Sequence, residues 1–67
     1  MNNCPDVNTD SAITISHHWY EVRRNGGEFS VWWQAPNPYA PWRCVAQVVA
    51  LKEWKPSARA HHARLMG

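Results

Sequence analysis

The 67-residue sequence has little charge, only two cysteines and no long apolar run. Lys, Arg, Asp and Glu make up 18% of it, and the formal net charge is +2, far from the strong basicity of a typical DNA-binding domain. No stretch is apolar enough to span a membrane, and "MNNCPDVNTD" at the start contains no apolar core of a signal peptide. We therefore expect a cytoplasmic protein without a membrane partner. Cys4 and Cys44 are then reduced thiols, whereas a secreted chain would allow one Cys4–Cys44 disulfide.

The sequence also lacks recognised catalytic and metal-binding motifs. It contains no G-x-S-x-G, Walker A or G-x-G-x-x-G pattern, and Cys44 has no evident base beside it. The histidine pairs 17–18 and 61–62 do not have the H-x₃₋₅-H spacing of a zinc site, and the cysteines do not form C-x₂-C. These absences predict a non-enzymatic protein with no metal and no other cofactor.

Aromatic residues are the most prominent feature of the composition, with five tryptophans, two tyrosines and one phenylalanine. Apolar residues make up 45% of the chain, which favours a globular fold over a disordered one. A chain this short buries only about 60% of its unfolded surface, so there is room for one thin core. We expect one small domain over residues 11–67, preceded by a flexible polar segment at 1–10.

Alternating apolar and polar residues predict an antiparallel sheet. Residues 12–24, "AITISHHWYEVRR", and 28–35, "EFSVWWQA", are rich in β-branched and aromatic types, and the Asn-Gly-Gly sequence between them is a turn signal. Three prolines in "PNPYAP" at 36–41 predict a loop. Residues 43–53 fit a third strand better than a helix, although Pro41 would suit a first helical position.

The C-terminal residues predict a short helix over 58–66, with Ser57 as its N-cap. The predicted fold class is therefore α+β: a three-stranded antiparallel sheet and one C-terminal helix. A hairpin alone is only marginally stable, so its apolar side must be covered. We expect the core to contain six large apolar side chains: Tyr20, Phe29, Val31, Trp33, Val48 and Trp54.

The register of the hairpin decides which aromatic rings remain for a partner. A two-residue loop at Asn25-Gly26 predicts that Trp19 lies directly opposite Trp32 on a polar face of the sheet. A loop at Gly26-Gly27 is the alternative, and it would pair Arg24 with Phe29. In the first register the two tryptophans form either a recognition surface or a second small core beneath the helix.

The proline loop extends this aromatic surface by presenting two more rings on a stiff backbone, unless the second of them, Trp42, packs into the core. Trp, Tyr and Arg are the residue types that dominate binding hot spots. The predicted partner-binding residues are His17, Trp19, Arg23, Trp32, Tyr39 and Trp42.

Two kinds of partner fit this aromatic surface. The first is a larger protein, in which case the chain is a small inhibitor or adaptor. It would be comparable in class with viral and mobile-element proteins that block host machinery, such as anti-CRISPR proteins. The second is single-stranded nucleic acid, with bases stacked on Trp19 and Trp32. Low charge favours the protein partner, and a homodimer through an edge strand or the tryptophan face is also compatible with so small a chain.

The sequence "SHHWY" at residues 16–20 resembles the Ser-His-His entry to a strand in small toxin ribonucleases with a double-stranded-RNA-binding-like fold. That resemblance implies a catalytic role for His17 or His18. The family has a helix before this motif, and no helix is predicted there in this chain.

Overall fold

A computed structural model describes residues 11–67, which form one antiparallel sheet and one helix. The strands lie in the sheet in the same order as in the chain, each paired with the next. The elements are β1 (Ala12–Ile15), β2 (His18–Asn25), β3 (Glu28–Gln34), β4 (Arg43–Val48), a 3₁₀ turn (Leu51–Glu53) and α1 (Trp54–Met66). The predicted α+β class is confirmed, whereas the predicted flexible segment at 1–10 lies outside the described residues.

The sheet has four strands, so the prediction of three was wrong. The predicted strand 12–24 is two strands, because Ser16 and His17 form a tight turn that pairs Ile15 with His18. Both turn residues have positive φ, 51° for Ser16 and 71° for His17. Two-residue hairpin loops of type I′ require this conformation, which non-glycine residues seldom adopt. Neither residue is a strong turn signal, so the run of strand-forming types concealed the reversal.

The predicted pairing of Trp19 with Trp32 was also wrong. The loop between β2 and β3 is Gly26-Gly27, and Trp19 pairs with Gln34 while Glu21 pairs with Trp32. Gly26 has a φ of 67°, a conformation that glycine adopts at little cost. The observed register is therefore the alternative one, which pairs Arg24 with Phe29.

Arg24 tolerates this register because its guanidinium carbon lies 5.5 Å from the centre of the Phe29 ring. A cation over an aromatic face is an attractive arrangement rather than a mismatch. The observed pairing differs from the predicted one by two residues. Since side chains alternate with a period of two, every side chain of the hairpin stays on the face predicted for it.

The third predicted strand, 43–53, ends at Val48, and the helix begins at Trp54 rather than at residue 58. The residue at the N-cap position is Glu53, not Ser57, and it makes no side-chain capping bond. Pro56 lies in the first turn of α1. Backbone N–H groups there have no intrahelical acceptor, so the lack of an N–H in proline costs no hydrogen bond. The helix therefore starts one turn earlier than predicted.

A β-bulge in β4 changes which of its side chains face the helix. Val31 pairs with Ala46 and Trp32 pairs with Cys44, so Val45 is an extra residue between the two pairs. Strict alternation would place Cys44 and Ala46 on one face. The bulge instead puts Cys44 with Trp32, and Ala46 with Val31.

The hydrophobic core lies between the sheet and α1. Its fully or nearly fully buried members come from three strands and the helix, namely Tyr20, Val31, Val48, Trp54 and Ala58. Phe29 and Trp33, also predicted for the core, are partly buried against this cluster. Each large apolar side chain buried here contributes about 1.5–3 kcal/mol. The core thus uses one face of the sheet, the face of Tyr20 and Val31.

Among the described residues, no helix is long and apolar enough to cross a membrane.

Candidate binding face

The sheet side opposite α1 carries most of the predicted partner-binding residues. Side chains of β2 and β3 that alternate with the core residues point there, and Trp42, just before β4, joins them through its contact with Arg23. We call this surface the open face and define it by Trp19, Glu21, Arg23, Trp32, Gln34 and Trp42. The sequence alone does not decide whether α1 covers these tryptophans. The helix packs on the other side, against the core.

Arg23 lies at the centre of the open face. Its guanidinium carbon is 4.3 Å from the centre of the Trp32 ring and 5.6 Å from that of Trp42, and its Nε–H donates to the Glu21 carboxylate. Each cation–π contact at an exposed site contributes about 0.5–1 kcal/mol. The arginine therefore holds two indole rings in place and is itself neutralised by Glu21. Strand alternation predicts Glu21, Arg23 and Trp32 on one face, but it does not predict that they form one cluster with Trp42.

The tryptophans of the open face are accessible in different degrees. Trp19 is 47% exposed, whereas Trp32 and Trp42 are half-buried. Within residues 11–67, the one buried side-chain nitrogen or oxygen without a hydrogen-bond partner is Nε2 of His62. The indole N–H groups of Trp32 and Trp42 also have no hydrogen-bond partner in that part of the chain. Unlike Nε2 of His62 they are not buried, so both are accessible to solvent. The open face offers aromatic surface together with unused N–H donors.

A groove lies beside Trp19, between the β1–β2 turn and the proline loop. It has a volume of about 360 Å³ and is lined by His17, Trp19, Gln34 and residues 35–38. Gln34 supports the loop from below, because its Nε2–H donates to the carbonyl of Ala40 over 3.0 Å. Pro36 and Pro38 stiffen the loop further, since each fixes its own φ. The groove is thus formed before any ligand arrives.

Tyr39 lies apart from the other predicted binding residues. It is 91% exposed at the tip of the proline loop and does not line the groove. Its backbone N–H donates to Asn37 Oδ1 over 3.0 Å, which fixes the turn beneath it. The structure therefore brings Arg23, Trp32 and Trp42 into one cluster and His17 and Trp19 into the adjoining groove. Tyr39 stands at the edge.

His17 and His18, the two histidines of the ribonuclease-like motif, lie in different surroundings. His17 is exposed at the turn, whereas His18 is on the helix side, where its Nδ1 accepts a hydrogen bond from Trp33 Nε1–H over 3.0 Å. The ring of His18 also lies 5.1 Å from that of His62 on α1. The two side chains do not share one site, and His18 is used in packing the helix.

The helix contributes a second histidine contact that the sequence did not predict. Nδ1 of His61 lies 2.8 Å from the hydroxyl of Tyr20 and hydrogen-bonds to it, and the His61 ring contacts Trp33. Burial, followed by the positive charge of Arg64 and the nearby histidines, lowers the pKa of His61. Burial also raises the pKa of Tyr20. This pair depends on how α1 docks, so no local sequence pattern could have revealed it.

Metal-binding groups are not assembled in the part of the chain that the structure describes. No cluster of three or more His, Cys, Asp or Glu side chains there could hold an ion. Cys44 is a free, exposed thiol. Comparison with protein families, with curated proteins and with solved structures finds no match for this chain.

Proposed function

We propose that this chain is a non-enzymatic protein-binding module of the cytoplasm, a small inhibitor or adaptor that covers a site on a larger protein. The observation that carries the proposal is the position of α1. The helix packs against the core face and leaves Trp19, Trp32 and Trp42 on the opposite side of the sheet. Tryptophan and arginine are the residues most often found at the energetic centre of protein interfaces.

The charge of the open face favours a protein over a nucleic acid. Its one cation, Arg23, is already paired with Glu21. Arg24 and Arg43 pair with Phe29 and Trp33 and so belong to the helix side of the sheet by register. A phosphate backbone needs unpaired cations near the stacking rings. The alternative of single-stranded nucleic-acid binding is thereby less well supported.

The arrangement of the rings also limits the entropic cost of binding. Trp32 and Trp42 are held by Arg23, and the loop beside Trp19 is held by Gln34 and its prolines. Each rotamer-rich side chain that must be immobilised at an interface costs about 0.5–1.5 kcal/mol. A surface that is ordered before contact avoids part of that cost.

The test is affinity capture from the native cells with three forms of the chain, each with and without nuclease. Trp32→Ala removes one ring of the open face. Leu51→Ala is the matched control, because Leu51 is also apolar and half exposed but lies in the 3₁₀ turn. We expect a captured protein that survives nuclease and is retained by Leu51→Ala. At least tenfold less of it should be captured by Trp32→Ala, with the circular dichroism spectrum unchanged.

Two results would refute the proposal. Capture that disappears with nuclease, or affinity that falls steeply between low and moderate salt, would indicate nucleic acid as the partner. Equal capture by Trp32→Ala and the native chain would show that the open face is not the binding surface.

A further inference from the structure

The open face has more free hydrogen-bond donors than free acceptors. The indole N–H groups of Trp19, Trp32 and Trp42 have no partner among residues 11–67. Fewer acceptors remain: one oxygen of the Glu21 carboxylate accepts from Arg23, and Gln34 uses its Nε2–H to donate to the Ala40 carbonyl, which leaves the second Glu21 oxygen and Gln34 Oε1. A ligand that suits this face offers acceptors and flat apolar surface and brings few donors of its own.

Proline-rich segments have this chemistry. Proline has no backbone N–H, and the polyproline II helix leaves its carbonyl groups free of internal hydrogen bonds. Such segments dock in aromatic-lined grooves, at low entropic cost because their conformation is already formed. We propose that the open face binds a proline-rich segment of a protein partner in the polyproline II conformation. This inference rests on the proposed function and names the kind of segment that the face recognises.

The groove beside Trp19 would take one proline ring. Its lining contains no carboxylate, ammonium or guanidinium group, so a neutral ring fits it better than a phosphate or a charged side chain. Its volume of about 360 Å³ lies at the small end of the range for ligand sites. Pro36, Pro38 and the Trp19 ring supply flat walls for such a ring.

The spacing expected for the two tryptophans is slightly shorter than the repeat of a polyproline helix and within reach of it. Trp19 pairs with Gln34, so Trp32 is its diagonal neighbour on the adjacent strand. Diagonal neighbours on a sheet face lie about 7–8 Å apart. A polyproline II helix rises about 3.1 Å per residue with three residues per turn, so residues on one side repeat every 9 Å or so. Prolines at positions i and i+3 would therefore contact Trp19 and Trp32 together.

Nuclear magnetic resonance of the ¹⁵N-labelled chain tests the inference through its five indole N–H signals. The probes are decaproline, a Gly-Ser peptide of equal length and single-stranded dT₁₀. With decaproline we expect saturable shifts of the Trp19, Trp32 and Trp42 signals, while those of Trp33 and Trp54 stay in place. The Gly-Ser peptide and dT₁₀ should cause no saturable change.

Two variants locate the site. Trp19→Ala, at a half-exposed position outside the core cluster, should raise the Kd for decaproline at least tenfold. Trp19→Phe keeps an aromatic ring without the N–H and should have an intermediate Kd. Leu51→Ala, the matched control, should bind as the native chain does.

The outcomes separate this inference from the proposed function. Absence of saturable shifts at millimolar decaproline, or equal shifts with the Gly-Ser peptide, would overturn the proline-rich ligand. Protein capture that still depends on Trp32 would then leave the proposed function standing. Saturable binding of dT₁₀ at the same indole signals would overturn both.

Discussion

Replacement of Trp54 by alanine is the sharpest test of how this fold is held together. Trp54 is the first residue of α1, is only 3% exposed, and packs with Tyr20 and Val31 in the core. It is the largest side chain that the helix contributes to the core cluster. Its removal should therefore release α1 from the sheet.

The size of the effect can be worked out from the burial. Truncation of a buried tryptophan or phenylalanine to alanine costs about 3–5 kcal/mol. Natural domains have free energies of unfolding of about 0.05–0.15 kcal/mol per residue, which is about 3–10 kcal/mol for a chain of this length. The loss is comparable with the whole stability, so we expect Trp54→Ala to be largely unfolded at 37 °C.

Urea unfolding followed by far-ultraviolet circular dichroism measures the change without relying on tryptophan fluorescence. Leu51→Ala, three residues earlier and half exposed, is the control and should change the free energy of unfolding by less than about 1 kcal/mol. A loss of less than about 1 kcal/mol for Trp54→Ala would refute the placement of this ring between the helix and the sheet.

Two further predictions concern pH and the β2–β3 turn. Because the pKa of His61 is lowered in the folded chain, the unfolded chain binds more protons as pH falls below about 6.5. The urea midpoint should therefore drop between pH 7.5 and pH 5, and His61→Asn should flatten this slope; a slope unchanged by the variant would contradict the assignment. Gly26→Ala should lower stability by about 1–2 kcal/mol, because alanine resists the positive φ at that position. No atom lies within 4 Å of a Cβ at Gly26 or Gly27, so Gly27→Ala is a matched control, and equal melting temperatures for the two variants would refute the argument.

The fold class and the division of side chains between the two faces could be predicted because both depend on periodicity. The β2–β3 register was predicted two residues out, yet Trp19 and Trp32 stayed on the face opposite the core. The turn at Ser16-His17 was missed because positive φ is uncommon for any residue other than glycine, and Ser-His is a much weaker turn signal than Asn-Gly. Local propensity does not reveal a conformation that is imposed by strand pairing.

The limits of β4 and α1 were harder to predict for a different reason. Apolar residues continue past Val48 through Val49 and Leu51, so nothing in the pattern marks the end of the strand. Ser57 is a good capping residue, but the start of the helix is set by burial of Trp54. Tertiary packing outweighed the local capping preference here.

The composition of the open face was predictable in part. Strand alternation placed Trp19, Arg23 and Trp32 together, whereas the contact of Trp42 with Arg23 depends on the path of the proline loop. The contact of His61 with Tyr20 depends on the docking of α1. Both are long-range contacts, which a single sequence does not specify by spacing.

The most direct test of the open face is the accessibility of the five indole N–H groups in the free chain. A soluble paramagnetic probe broadens the signals of protons that reach solvent. The exposed position of the open-face rings predicts strong broadening for Trp19, Trp32 and Trp42, and protection for Trp54 in the core and for Trp33, which donates to His18. Protection of Trp19 and Trp32 in the isolated chain would contradict it, because those rings would then be packed inside and unavailable to any partner.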